Sequence, residues 1–409
     1  MVKERYEQTE VGVIPEDWDI RAVGDICDFI VPGRNKPRIF KGDIPWITTP
    51  DLENGRGVSE SKLGLFVSRD EAKSVGSKIV PTGAVLMSCV GELGIVAFVE
   101  REIVINQQLH AFIPTSVIDP LFLLNVLQSQ KNFMLSIATL TAVPYLNKDN
   151  CNSIPIPLPS LPEQRSISQS LSDVDALIDA LDKAIAKKRA IKTATMQQLL
   201  TGEKRLPGFL GNWTDTQIGT EIDLLTGYPF PSANYSDSGI KLLRGSNIKR
   251  GETDWAEDLI QYWSEITPDI SQYVLKDGDI VVAMDGSLVG RSFARLSKAD
   301  LPALLLQRVA RIRSEKIDVG YLKEWICSKF FTEHCDAVKT VTAIPHISSG
   351  DIRSFRIRIP PTHEEQRAIA TVLSDMDTEI AALETRLAKT QALKQGMMQA
   401  LLTGRVRLV

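Results

Sequence analysis

Residues Glu163 to Leu206 and Glu365 to Leu408 are one segment written twice: at an offset of 202 residues, 23 of the 44 aligned positions are identical. In both copies the large apolar residues advance by four and three in alternation. They are Ile167, Leu171, Val174, Ile178, Leu181 and Ile185 in the first, and Ile369, Leu373, Met376, Ile380, Leu383 and Leu387 in the second. This is the a/d seam of an α-helix that buries its narrow apolar stripe against another helix. The next large apolar residues are Ile191 and Leu393, so the heptad slips at the same place in both copies. Ser160 precedes Glu163 and Thr362 precedes Glu365 as S/T-x-x-E capping boxes, which predicts that each Glu serves the first free N–H groups of its helix. Gly202 and Gly404, each in "LLTG", stand where a left-handed C-cap is wanted. Each copy therefore predicts a helix of about forty residues, ~60 Å long. Two such rods in one chain, each behind its own globular block, predict an antiparallel coiled coil and a molecule of approximate two-fold symmetry.

The blocks in front of the helices repeat more faintly. Trp18, Gly24 and Asp28 answer Trp213, Gly219 and Asp223; "GAVLMSCVG" from Gly83 answers "GDIVVAMDG" from Gly278; "TAVPYL" from Thr141 answers "TAIPHI" from Thr342. Short β-branched runs such as "AVLMSCV", "GIVAFVE" and "DIVVAM" read as strands. "DPLFLLNVLQSQKNFMLSIA" and "DVGYLKEWICSKFFTEHC" each read as one helix begun by an Asp. The prolines of "SIPIPLPSLP" and "RIRIPPT" continue neither element and mark the edges of the blocks. The fold class is α+β, with divisions at 1–160, 161–202, 203–361 and 362–409: block, helix, block, helix.

Composition narrows the function classes. A chain of 409 residues is too long for a single core. Its most apolar stretch, Ile79 to Val99, is broken by Pro81, Gly83, Gly91, Glu92 and Gly94, so no membrane span is expected, and the polar start of the chain does not read as a signal peptide. The five cysteines are scattered without a CxxC, which suggests neither a disulfide framework nor a zinc cage and fits a reducing cytoplasm. His110, His334, His346 and His363 lie far apart, with no metal-ligand spacing, so no metal is expected. A net charge of −4 does not suit a protein that coats DNA nonspecifically. Residues 1–160 hold 15 basic and 19 acidic groups, and residues 203–360 hold 20 and 21. Any contact with nucleic acid must therefore come from local patches.

These features together resemble the specificity subunits of type I restriction-modification enzymes, over essentially the whole chain. The resemblance is carried by "PEQRSI", "LSDVDALI" and "QQLLTGEKRLPGF" in the first helix and by "EEQRAI", "LSDMDTEI" and "QALLTGRVRL" in the second. "VGVIPEDWDI", "GDIPWITTPDLENG" and "GYPFPSANYSDSGIKLLRGSNIKRG" in the blocks add to it. The resemblance implies that each block is a target recognition domain reading one half of a split site in double-stranded DNA. It implies that the helices space the two domains and dock two methyltransferase (modification) subunits, and that restriction/translocase subunits join that core. This chain then has no chemistry of its own; S-adenosylmethionine, ATP and Mg are expected on the partners. One inserted helical turn adds ~6 Å, roughly two base pairs of rise.

Within the blocks, loops with Arg or Lys for phosphate and amide or hydroxyl side chains for base edges are the candidate DNA contacts. In the first they are Arg34, Asn35, Lys36, Arg38 and Lys41; Thr48, Thr49 and Asn54; and Tyr145, Asn147 and Lys148. In the second they are Arg244, Ser246, Asn247, Lys249 and Arg250; Ser287 and Arg291; and His346 and Ser348. The same residue types also populate ordinary solvated loops. Glu163-Gln164-Arg165 and Glu365-Gln366-Arg367 are candidate partner contacts, although the capping box already explains the Glu and an exposed face the Arg.

The rival classes are a stand-alone endonuclease and a coiled-coil scaffold that does not touch DNA. Pro50-Asp51 followed by Glu71-Ala72-Lys73 mimics the order of a metal-dependent nuclease, but the second block lacks it. A methyltransferase needs a Gly-rich loop after a strand and an Asn/Asp-Pro-Pro-aromatic motif, and neither is present; nor is the GxxxxGK[ST] loop that binds ATP phosphates. A scaffold is distinguished by whether binding to DNA weakens as salt rises.

Overall fold

In the computed structural model, residues 5–9, 11–33 and 35–408 are described. The chain divides into two compact units, one drawn from Met1–Asp182 with Thr385–Val409 and the other from Lys183–Glu384. The long helices, Leu161–Thr201 and His363–Leu401, are each continuous through this division. The divisions expected from sequence lie where block meets helix. Each compact unit takes in a block, the start of its own helix and the end of the other.

In the first unit a five-stranded sheet runs in the order Cys27–Ile30, Leu109–Pro114, Val85–Ser88, Val96–Val99, Arg56–Val58, with only the last pair parallel. The second unit repeats it: Asp223–Thr226, Val309–Arg313, Ile280–Ala283, Phe293–Arg295, Arg250–Gly251, again with only the last pair parallel. A smaller sheet centres on Ile44–Ile47 beside Ile103–Ile105 in the first, and on Ile240–Leu243 beside Ala303–Leu305 in the second. The runs read as strands are strands because they are β-branched and buried on both faces, as in Val85–Ser88 and Ile280–Ala283.

Two expectations are refined. Each run read as a single helix is two helices, Pro120–Ser129 and Lys131–Ser136, and Val319–Ile326 and Lys329–Val338. Asp119 and Asp318 do cap the first of each pair. The Pro-rich exits are themselves strands: Pro155–Leu158 pairs with Asp19–Ala22, and Arg356–Ile359 with Thr214–Gln217. Pro155 and Pro157 are tolerated in the first because that pair has only two strands, leaving an edge that needs no donor, whereas Pro360 and Pro361 follow the second strand and end it.

The core of the first unit joins Trp18, Phe112, Phe122 and Ile156 to Ile167 and Leu171 of the first long helix and to Leu401 and Leu402 near the end of the second. The second unit mirrors this with Tyr321, Trp325 and Ile357 packed on Ile369, Leu373, Leu199 and Leu200. The outer ends of the seam thus belong to the domain cores. Ile178, Leu181, Ile185 and Ile380 are buried further along, and Val174, Met376, Leu383 and Leu387 are half-buried. Ion pairs fix the direction of the helices within each unit. In the first, Asp175 meets Lys394 and Glu163 meets Arg407; in the second, Lys188 meets Glu379, Lys192 meets Asp377 and Arg205 meets Glu365. Partner numbers fall as those of the first helix rise, so the packing is antiparallel in both units.

The capping boxes form only in part. The hydroxyls of Ser160 and Thr362 accept weakly from Glu163 N and Glu365 N at 3.4 and 3.3 Å. The carboxylates do not turn back to their own helices. Glu163 is buried and takes two bonds from Arg407, from Nε at 2.5 Å and from Nη2 at 2.9 Å; Glu365 is buried and takes two from Arg205 at 2.9 and 2.7 Å. Gln164 and Gln366 are buried too, accepting from Asp119 N and Asp318 N, both at 2.8 Å. In the Glu-Gln-Arg triplets only Arg165 and Arg367 face solvent.

Candidate nucleic-acid interface

In each unit the same four loops converge at one end of the inner strands of the five-stranded sheet. In the first they are the 3-10 turn Thr49–Asp51, the segment after Ser88, the turn between Ile105 and Leu109, and the "TAVPYL" loop. Backbone bonds lock them together: Cys89 N donates to Gln108 O at 2.8 Å, Leu146 N to Cys89 O at 2.9 Å, and Gly91 N to Pro144 O at 2.9 Å. The second unit repeats the frame, with Met284 N to Arg308 O at 2.9 Å, Ile347 N to Met284 O at 2.8 Å and Gly286 N to Pro345 O at 3.0 Å. Inside each repeated loop a threonine closes the tip: Thr141 Oγ1 donates to Val143 O, and Thr342 Oγ1 to Ile344 O, both at 2.7 Å.

The frame brings together only part of the residues singled out from sequence. Tyr145 and His346 sit at equivalent places on it and are exposed. The His346 Nδ1 lies 2.9 Å from Thr340 Oγ1. Thr49 joins the frame by donating to Gln108 Oε1 at 3.4 Å. Asn35 and its neighbours approach through Gln107, whose amide donates to Gly33 O at 2.7 Å and Asn35 O at 3.4 Å. Lys36, Arg38 and Lys41 are exposed, and Glu71 holds the Arg38 backbone N at 2.5 Å. Arg34 lies outside the described residues. Ser246, Lys249 and Ser287 border an open cleft of about 510 Å³ in the second unit, together with Asp285 and Arg308. Lys249 also faces Asp254 at 3.4 Å.

Other candidates have internal work. Asn247 is fully buried: its Oδ1 accepts from Arg244 N at 3.1 Å and its Nδ2 donates to Asp254 O at 3.0 Å, so it builds its loop from inside and presents nothing to a duplex. Arg244 donates to Leu259 O. Thr48 is bound to Asp51, and the Asn54 side chain accepts from Val96 N at 3.0 Å. Asn147 and Ser348 cap the short helices Lys148–Asn152 and Ser349–Ser354. Lys148 lies over the Phe29 ring at 4.6 Å. Arg291 makes two bonds to Asp336, at 3.1 and 2.6 Å, and together with Lys339 it holds that carboxyl well below the usual carboxylate range. Arg250 borders a separate cavity of about 770 Å³ beside Arg189 and Lys192. The residues missed from sequence are Gln107, Gln108, Gln307 and Arg308. Nothing in a run such as "INQQLH" marks a turn until the strands on its two sides, Ile103–Ile105 and Leu109–Pro114, have joined different sheets.

Among the described residues no three His, Cys, Asp or Glu side chains gather in a way that could hold a metal ion, and no helix is long and apolar enough to cross a membrane. The architecture defines a class: an internally duplicated α+β protein with one loop frame written twice in different side chains. Comparison with known proteins places it more closely. A family model described as "Type I restriction modification DNA specificity domain" matches residues 15–189 and again 216–394. The chain belongs to that family. The MjaVIII type I specificity subunit of Methanocaldococcus jannaschii is 26% identical over 99% of this chain and 96% of its own length. The EcoAI specificity subunit of Escherichia coli is 32% identical over 39% of this chain and 27% of its own. Among solved structures, the S subunit of a type I restriction-modification system from M. genitalium aligns with TM-score 0.59 at 13% identity, covering 94% of this chain and 96% of that one. A chain from a structure of complex assembly and conformational transition in the type I R-M system aligns at 0.56 with 17% identity, covering 96% and 99%.

Proposed function

We propose that this chain is the non-catalytic DNA-recognition subunit of a type I restriction-modification complex. Each domain reads one half of a bipartite site, and the antiparallel helices serve as spacer and as the dock for two methyltransferase subunits. The observation that carries the reading is the repeated loop frame: tied by the same three backbone bonds, it presents Gln108 and Tyr145 in one domain and Arg308 and His346 in the other. A protein that reads two different half-sites needs that combination, since the frame positions and the side chains specify. S-adenosylmethionine, ATP and Mg are assigned to the partner subunits, including the restriction/translocase subunits, and the working compartment to the cytoplasm. The charge balance of each block, 15 basic to 19 acidic and 20 to 21, favours weak binding by the chain alone, with the methyltransferase subunits closing on the duplex. The test is to express the chain with its modification subunit and sequence the methylated bases of the host DNA. A split motif with one modified adenine in each half is expected. A continuous motif, or methylation that does not depend on this chain, overturns the reading.

A further inference from the structure

Among the described residues Arg308 is the only one other than glycine with a left-handed backbone, at φ 64°. It sits in the tight turn between strands Ala303–Leu305 and Val309–Arg313 and is fixed from behind by the bond from Met284 N to its carbonyl. The Cβ of any residue other than glycine disfavours that backbone region, and residues held there by surrounding bonds cluster at functional sites. Here the side chain is 65% exposed and borders the 510 Å³ cleft, with Nη1 donating to Asp285 Oδ2 at 3.1 Å. The counterpart in the first domain is Gln108, whose carbonyl takes the equivalent bond from Cys89 N. Its side-chain oxygen accepts from Asn106 Nδ2 at 3.0 Å and from Thr49 Oγ1 at 3.4 Å. One turn with one set of backbone bonds thus presents a different, separately braced head group in each domain.

We propose, resting on the DNA-recognition reading above, that this turn is a specificity-determining position. Arg308 donates its guanidinium fork to N7 and O6 of a guanine in the half-site of the second domain, with Asp285 as the positioning residue. The planar fork matches that base edge, and a carboxylate on one side of the guanidinium fixes its plane while leaving other N–H groups free. Asp285 also argues against a phosphate as the ligand, since a carboxylate beside the cation repels a second anion.

The test uses the full chain in complex with its modification subunit, reading the methylated motif for the wild type and for Arg308→Gln, Arg308→Lys and Arg308→Gly. The wild type is expected to require guanine at one position of the second domain's half-site. All three variants are expected to accept other bases there roughly tenfold more readily, or better, while the other half-site stays unchanged. Lysine fails because a point charge cannot span two acceptors. The glycine variant relieves the turn, so its thermal midpoint should not fall, which separates reading from folding. The proposal is overturned if the motif is indifferent to Arg308, if methylation drops equally at all sites, or if Arg308→Lys keeps full selectivity as a phosphate contact would. A wild-type chain that directs no split motif sinks the DNA-recognition reading itself; a split motif unaffected by these variants sinks this proposal alone.

Discussion

Arg407 reaches Glu163 and Asp17 together, with its side chain only 14% exposed, and lies 5.6 Å from the Trp18 ring centre. Both acids hold its guanidinium protonated above its ordinary range. Removing one partner of a buried pair leaves the other charged and unsolvated, which costs ~3–5 kcal/mol. Arg407→Ala is therefore expected to lower the unfolding free energy of the first unit by about that amount, read in denaturant titrations. The double variant Arg407→Leu with Glu163→Leu should recover most of it, because the buried charge is gone and the carboxylate left behind, Asp17, is exposed to solvent. His110 offers a second handle. Burial pushes its pKa down to about 4, with the nearby Lys148 adding to the effect. It is 2% exposed, stacked on Phe29 and tilted against Phe112. A histidine with a depressed folded pKa binds its proton more readily when unfolded. Its neutral state therefore contributes full stability above about pH 6.5, and that contribution is lost as pH falls from there toward 4. The bound on the effect is about 3 kcal/mol. Comparing melting temperatures of the wild type and His110→Phe between pH 7 and pH 4 checks it: the gap should move in favour of the variant as pH falls.

At the scale of elements, both long helices end in the same cap, and the two caps differ in what surrounds them. Gly202 and Gly404 have φ of 70° and 68°, and Lys204 N and Val406 N reach back six residues to Gln198 O and Ala400 O, both at 3.1 Å. A β-carbon on Gly404 would stand 2.5 Å from Pro15 Cδ, whereas one on Gly202 meets the Trp213 ring at 3.2 Å. Both alanine variants bear the cost of a left-handed backbone, ~1–2 kcal/mol. Gly404→Ala also forces a shift in a packed neighbour and should lose a further ~1–3 kcal/mol in thermal unfolding. The helices, their ends and their seam were legible in the sequence because they depend on local spacing and on a repeat that marks itself. The true partners of Glu163 and Glu365 were not, since each arginine comes from the far end of the other helix, and a nearby hydroxyl offered a plausible local answer. The loop face was half legible for a related reason. Asn247 and Ser287 look alike in a string, yet one turns inward to build its loop and the other outward. Arg308 became visible only once the strands on either side of it had joined different sheets.

For the molecule as a whole, the reading depends on the helix pair acting as a ruler. Each helix is one unbroken element, 41 residues in the first and 39 in the second, braced inside each unit by antiparallel ion pairs and by the domain core. A ruler must be lengthened on both edges at once, or the seam falls out of register. Inserting seven residues after Asp182 and seven after Glu384 preserves the a/d pattern and adds ~10 Å, about three base pairs of rise. The methylated motif should then keep both half-sites and gain about three unspecified bases between them. Inserting four residues at the same points shifts the seam by half a heptad, so that variant should melt at a lower temperature as well as alter the gap. Insertion into one helix alone should cost more stability than either, because every pairing beyond the insertion is displaced. If the seven-residue insertion leaves the gap unchanged, or rewrites a half-site, the helices do not set the spacing. The separation must then be set by something other than the helices.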